Sequence, residues 1–243
     1  MTGTDRTEYL PTTEQIRHVF TDEITSLGGT VSDVVDDGRH LYARAVLPAT
    51  MDVRPGDAIS AGVAVRAERA EIVVHPYILR QVCTNGAIAT HTLGSRRLER
   101  VPFTGVLPPA YDAAVALERF REAMRASAAK EAFGAAAEAM RSAASVPANI
   151  SLLHRAFARM QERSMMAHLL PRIFDRFATG GDRSAFGLMN AVTSLARDTS
   201  DASIRWRLEE LGASLPALVA APPSRRVESD ATTAVDVSTA SGV

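Results

Sequence analysis

Cysteine, lysine and tryptophan each occur once in this chain of 243 residues, and aromatic side chains make up only 5% of it. The single Cys83 excludes an intramolecular disulfide, and a reducing compartment, the cytoplasm, suits a chain without such staples. No stretch approaches the roughly 18 apolar residues of a spanning helix. The first ten residues, MTGTDRTEYL, carry acids and lack the apolar core of a signal peptide, so no membrane partner is expected. An excess of one charge is also missing: 27 basic against 28 acidic side chains leave a net charge of -1. That balance excludes a strongly basic nucleic-acid coat and an acidic solvating chain. What is present is an ordinary globular mixture, 46% hydrophobic and 23% charged, long enough to bury a sizeable core.

The charge is unevenly placed. Residues 1–60 hold five Arg against ten acids, a net of -5, whereas residues 61–100 hold six Arg against three Glu, a net of +3. An anion site therefore belongs in the middle segment. Lys130 is the only lysine; the other basic residues are arginines, a bias that a GC-rich genome produces on its own and that also suits phosphate forks.

Periodicity divides the chain. Ile16, Val19, Phe20, Ile24 and Leu27 recur at helical spacing, with Thr12 and Gln15 as a capping box and Gly28-Gly29 as the stop. The period then changes to two. Val31 to Val35 and His40 to Leu47 read as strands joined by the turn Asp36-Asp37-Gly38, with Leu41, Ala43, Ala45 and Leu47 on one face. Pro48 and Arg54-Pro55-Gly56-Asp57 separate a third strand, Ala58 to Arg66, from a fourth that covers Glu71 to His75 or more. Residues 87–106 read as strand and loop. Helices are expected over Tyr111 to Ala144, from Ile150 toward Phe177 with a break near Pro171, over Ser184 to Arg197, and over Ala202 to Leu211. The fold class is α+β: an N-terminal helix and a mostly antiparallel meander covered by a helical layer. Residues 1–219 form one domain, sheet-rich over 28–106 and helical over 111–219, and the Ala, Pro, Ser and Thr-rich residues 220–243 form a disordered tail.

Few residues point to catalysis. Cys83 lies eight residues from both His75 and His91, which allows a thiolate activated by imidazole and by Arg80, but a lone cysteine in an apolar strand also reads as a small buried hydrophobe. His18, His40, His75, His91, His154 and His168 include no pair three or four apart, so no metal site is expected. Gly180-Gly181 precedes a helix without the lysine and hydroxyl of a phosphate loop, and no cofactor is expected. Ser164, Ser184 and Ser194 lack a nucleophile elbow, and the acid pairs Asp22-Glu23, Asp36-Asp37 and Glu209-Glu210 read as solvated faces. The arginines are more suggestive. Arg66, Arg69, Arg80, Arg96, Arg97 and Arg100 are interleaved with His75, Tyr77 and His91, a composition that suits single-stranded nucleic acid, although solvated or ion-paired arginines would look the same.

Asp37-Gly38-Arg39 with Leu41, Leu47-Pro48, Pro55-Gly56-Asp57, the string Arg80-x-x-Cys83-Thr84-Asn85-Gly86, and the later Phe186-Gly187-Leu188-Met189-Asn190-Ala191-Val192-Thr193 together mark a pattern. It resembles a phage and plasmid-like protein family catalogued as domain of unknown function nine-three-two, over roughly residues 30–212. The resemblance implies a setting on mobile elements and no reaction. Physically, Cys83, Thr84, Asn85 and Gly86 in a turn, with Asn190 and Thr193 on a helix, suit a structural role in which polar groups pin strand to helix. The expected function is a non-enzymatic accessory protein of phage or plasmid DNA metabolism that binds single-stranded DNA or a DNA-processing protein through the arginines of residues 66–100. The alternatives are a cysteine-dependent enzyme using Cys83, and an oligomeric interaction protein whose alanine-rich helix packs against copies of itself.

Overall fold

A computed structural model of the chain describes residues 11–68, 71–90, 95–99, 113–159 and 163–220. Helix α1 spans Thr13–Ser26. The Gln15 N–H donates to the Thr12 hydroxyl at 3.2 Å and the Thr12 N–H to the Gln15 side-chain oxygen at 2.9 Å, the reciprocal cap expected from the sequence. Its stripe of Ile16, Val19, Phe20 and Ile24 is buried.

Strands β1 (Thr30–Asp36), β2 (Leu41–Arg54), β3 (Asp57–Ala67), β4 (Glu71–Arg80) and β5 (Asn85–Ile88) pair antiparallel in chain order. Strand β6 (Arg96–Glu99) pairs with the first half of β4, beside the β5 pairing on its second half. The meander is the one expected, but two prolines behave otherwise. Pro48 does not end β2; the register shifts between Val46 and Thr50, and a bulge accommodates the residue that cannot donate. Pro76 lies inside β4, where its carbonyl accepts from the Ala89 N–H on the β5 side. The missing N–H points to that same side, at the gap between the β5 and β6 pairings, so no bond to β3 is lost.

The helical half is α2 (Ala113–Ala128), α3 (Lys130–Ser145), α4 (Ile150–Arg159), α5 (Arg163–Thr179), α6 (Ala185–Arg197) and α7 (Ala202–Ala220). The single helix expected up to Ala144 is two, broken where Ala129 adopts an extended ψ of 142°. Alanine carries no stop signal, so the break comes from packing: α2 lies on β3 and β4, while α3 lies on β2, α6 and α7. Conversely, α5 continues through Pro171, and α7 continues through Pro216 well past the expected end at Leu211. The alanine-rich stretch buries Ala123, Ala132, Ala136, Ala137 and Ala143 within its own chain.

One apolar cluster joins the inner sheet face (Leu41, Ala43, Val63, Val65, Val74, Ile78) to residues of all seven helices. The other face is not solvent. Tyr42, Ala64, Val73, Tyr77 and Ile88 pack there around Trp206, which α7 delivers. Beside Trp206, Arg44 is fully buried and bonds Glu209 at 2.7 Å and Asp33 at 3.0 Å, and Arg205 bonds Asp33 at 3.0 Å and Glu209 at 3.3 Å. Two cations and two anions close a neutral ring. Burial pushes the Glu209 carboxyl upward against the pull of both arginines. Glu209 and Glu210 are therefore not a solvated face: Glu209 is 1% exposed, and Glu210 accepts from the Trp206 indole N–H at 2.8 Å. The expectation fails for Glu23 too, which is buried and held by Arg125 at 2.7 and 3.1 Å. No helix among the described residues is long and apolar enough to cross a membrane. The expected tail, from 221 onward, lies outside the described residues.

Candidate functional site

The turn from β4 to β5 is built differently from what its dipeptide suggests. Asn85-Gly86 reads as a left-handed turn pair, yet both residues are in β5, and Thr84 takes the left-handed conformation at φ 51°. It is the only non-glycine residue with positive φ among those described, and a β-branched side chain there is strained. Two bonds to the Cys83 carbonyl hold the turn: the Thr84 hydroxyl at 2.8 Å and, from the end of α6, an Arg197 guanidinium N–H at 2.7 Å. Gly86 is needed for space, since a methyl group there would overlap the Tyr77 hydroxyl.

Opposite this turn lies α6. Ser184 caps it, accepting from the Gly187 N–H at 3.1 Å, and any side chain on Gly187 would strike the Asp182 carbonyl. The approach of Asp182, the end of α5 and the β4–β5 turn encloses a cleft of about 200 Å³, lined by Arg80, Asn85, Arg176, Gly180, Asp182, Gly187, Asn190, Ala191 and Ser194. The strings around Asn85 and Asn190, residues 105 positions apart, thus meet on its wall. The Asn85 side-chain N–H donates to the Asn190 carbonyl at 3.4 Å.

The electrostatics of the cleft are anchored from behind. Arg80 forms a two-pronged pair with Asp57 at 2.6 and 2.7 Å, which raises its affinity for the proton further, and its third nitrogen donates to the Cys83 sulfur at 3.1 Å. Arg54 bonds Asp182 at 2.8 Å, the Ala144 carbonyl at 2.6 Å and the Ser184 hydroxyl at 3.0 Å. Both guanidinium groups lie over the Phe186 ring, at 5.5 and 5.7 Å from its centre. Burial raises the Asp182 carboxyl, but hydrogen bonds from Ser184 and Arg54 outweigh it and hold the group below its ordinary range. Arg176 donates to the Ser194 hydroxyl at 3.2 Å and to Asp198 at 2.8 Å.

The remaining sequence candidates do not gather here. Thr193 is buried, bonds back to the Met189 and Asn190 carbonyls at 3.1 and 3.3 Å, and faces Gly212 of α7. Of the six arginines, Arg69 and Arg100 lie outside the described residues, and the other four do not line one groove. Arg80 and Arg96 belong to the inner sheet face; Arg66 and Arg97 belong to the face under Trp206. Arg66 bonds Glu71 at 2.7 Å and covers the Trp206 ring, and Arg97 bonds Glu71 at 3.0 Å while remaining 66% exposed. His75 faces Trp206, with ring centres 6.2 Å apart, so the structure does not bring it to Cys83, and His91 is outside the described residues. Among the described residues no group of three or more His, Cys, Asp or Glu is placed to hold a metal. Sequence reasoning missed Arg54, Asp57, Arg176 and Asp182 as parts of the site. Only the strings around Gly86 and Gly187 signalled it, through glycines where the backbone must come close.

Comparison of the chain with protein-family models, curated proteins and solved structures finds no match in any of the three.

Proposed function

We propose that this chain is a non-enzymatic accessory protein of phage or plasmid DNA metabolism, working in the cytoplasm and contacting single-stranded DNA along the β6 edge of its sheet. The observation that supports this reading is the pair Arg96 and Arg97, adjacent, both exposed, and on opposite faces of a strand that, among the described residues, has a partner on one side only. An extended basic strand follows a phosphate backbone, and its affinity comes from counterion release. The contact is smaller than the sequence suggests, because Arg66 and Arg80 are largely covered and paired with carboxylates, whereas Arg97, which also reaches Glu71, stays 66% exposed. The resemblance to the mobile-element family supplies the setting. A binding role also suits Cys83, which has an arginine beside it and no imidazole from His75.

Fluorescence anisotropy with labelled single-stranded and duplex DNA across a salt series tests the proposal. Binding to the single strand should weaken steeply with salt, and Arg96→Ala/Arg97→Ala should flatten the slope of log K against log salt by about 1.4, about 0.7 for each lost phosphate contact. No binding to either DNA at low salt overturns it. A DNA-processing protein, or a second copy of this chain, then becomes the partner to seek, with light scattering as the first measurement.

A further inference from the structure

We infer that Glu71 restrains the β6 edge: its carboxylate holds Arg97 as an internal substitute for phosphate, and single-stranded DNA must displace it. This inference rests on the DNA reading of β6 and names how that same edge is held back. Strand register sets the geometry. On β4, Val73 pairs with Arg66 of β3 on one side and with Arg97 of β6 on the other, so the two arginines flank one residue across three strands. Glu71 lies two residues before Val73, on the same face of the sheet, and reaches both. One of its carboxylate oxygens accepts from Arg66 at 2.7 Å, and the other meets an Arg97 nitrogen at 3.0 Å. A carboxylate between two guanidinium groups, with one oxygen for each, takes the place that a phosphate would take between them.

The two contacts are unequal. Arg66 has a side chain 18% exposed, lies over the Trp206 ring at 5.8 Å from its centre, and also approaches Glu68 at 3.4 Å. Arg97 is 66% exposed, and its contact with Glu71 is the longer of the two. Water and salt screen the Arg97 arm, so that arm opens first, and Arg66 keeps Glu71 paired when it does. Arg97 thus passes from the carboxylate to a backbone phosphate without leaving a covered charge alone. Arg96 lies on the opposite face of β6 from Glu71, so the restraint acts on one of the two proposed phosphate contacts. Removing the carboxylate keeps the number of phosphate contacts and takes away their competitor, so affinity rises while its salt dependence stays as it is.

Fluorescence anisotropy of a labelled oligothymidylate against the full chain, across a salt series, tests this. Glu71→Gln should bind about two- to fivefold more tightly than the wild type, the worth of one ion pair at the surface, with the slope of log K against log salt unchanged. In the Arg97→Ala background the same substitution should bring no gain. Urea denaturation of each variant accompanies the titrations, and if Glu71→Gln does not fold, Glu71→Thr, which suits a strand, takes its place. Binding by the Glu71 variant that equals the wild type, or is weaker, would overturn the inference and leave the DNA reading standing. So would an equal gain in the Arg97→Ala background, because the carboxylate would then act on the DNA at a distance and not through Arg97. If neither the wild type nor the Glu71 variant binds at low salt, the DNA reading fails and this inference fails with it.

Discussion

At Gly86 a rule of turn chemistry gives the right residue for the wrong reason. The Asn-Gly dipeptide suggests positive φ, but the strand is regular there and the glycine exists to let the Tyr77 ring pass. Tyr77 is itself nine residues earlier on the neighbouring strand, and nothing in a linear reading says that its ring reaches across the pair. The site was legible in the same incomplete way: Arg80, Asn85 and Asn190 stood out within distinctive strings, whereas Arg176 and Asp182 did not, because nothing near them in sequence marks them as sharing a cleft. Gly86→Ala should destabilise the protein by about 1–3 kcal/mol through overpacking. Adding Tyr77→Phe, which removes the colliding hydroxyl, should recover part of that loss in urea denaturation. Equal stability of the single and double variants would show that the clash does not set the cost.

Among the elements, the β1–β2 turn was read best, since its determinants are local. Asp37 accepts from the Arg39 and His40 backbone N–H groups at 2.8 and 2.6 Å and meets the His40 ring at 2.9 Å. The bond from the His40 side chain, then those from the two backbone N–H groups, lower its pKa from 3.8 to about 2. A carboxylate whose pKa is depressed in the folded state stabilises the fold fully above its unfolded value, and this contribution fades as the pH falls through the folded value. The Tm difference between the wild type and Asp37→Asn should therefore shrink as the pH falls from 3.8 to about 2. A difference that does not change over that interval would mean that the charge contributes nothing. The helix break at Ala129 is the opposite case, because its cause lies in two separate packing surfaces and leaves no trace in residues 126–132.

For the whole molecule, alternation in the meander showed which strand residues face the helices, and it misled about the other face. Asp33, Arg44 and Arg66 are polar, so a pattern reading sends them to water, yet α7 folds over them and matches them with Glu209, Arg205 and Trp206. Charge pairing across such a distance in sequence has no local signature. Glu209→Leu should cost about 3–5 kcal/mol, because it leaves Arg44 buried without its closest partner, whereas Arg44→Met/Glu209→Leu should cost much less. Urea denaturation of the two variants measures the difference, and additivity of Arg44→Met and Glu209→Leu would refute the coupling. The same contact has a consequence in time. Arg44 and Glu209 are 165 residues apart, so at 5–20 residues per second the ribosome adds Arg44 roughly 8–33 s before Glu209, the nearer of its two carboxylate partners, exists. Throughout that interval the outer face of the nascent meander lacks its cover and Arg44 has Asp33 alone as a counter-charge, which makes α7 the latch that closes this face.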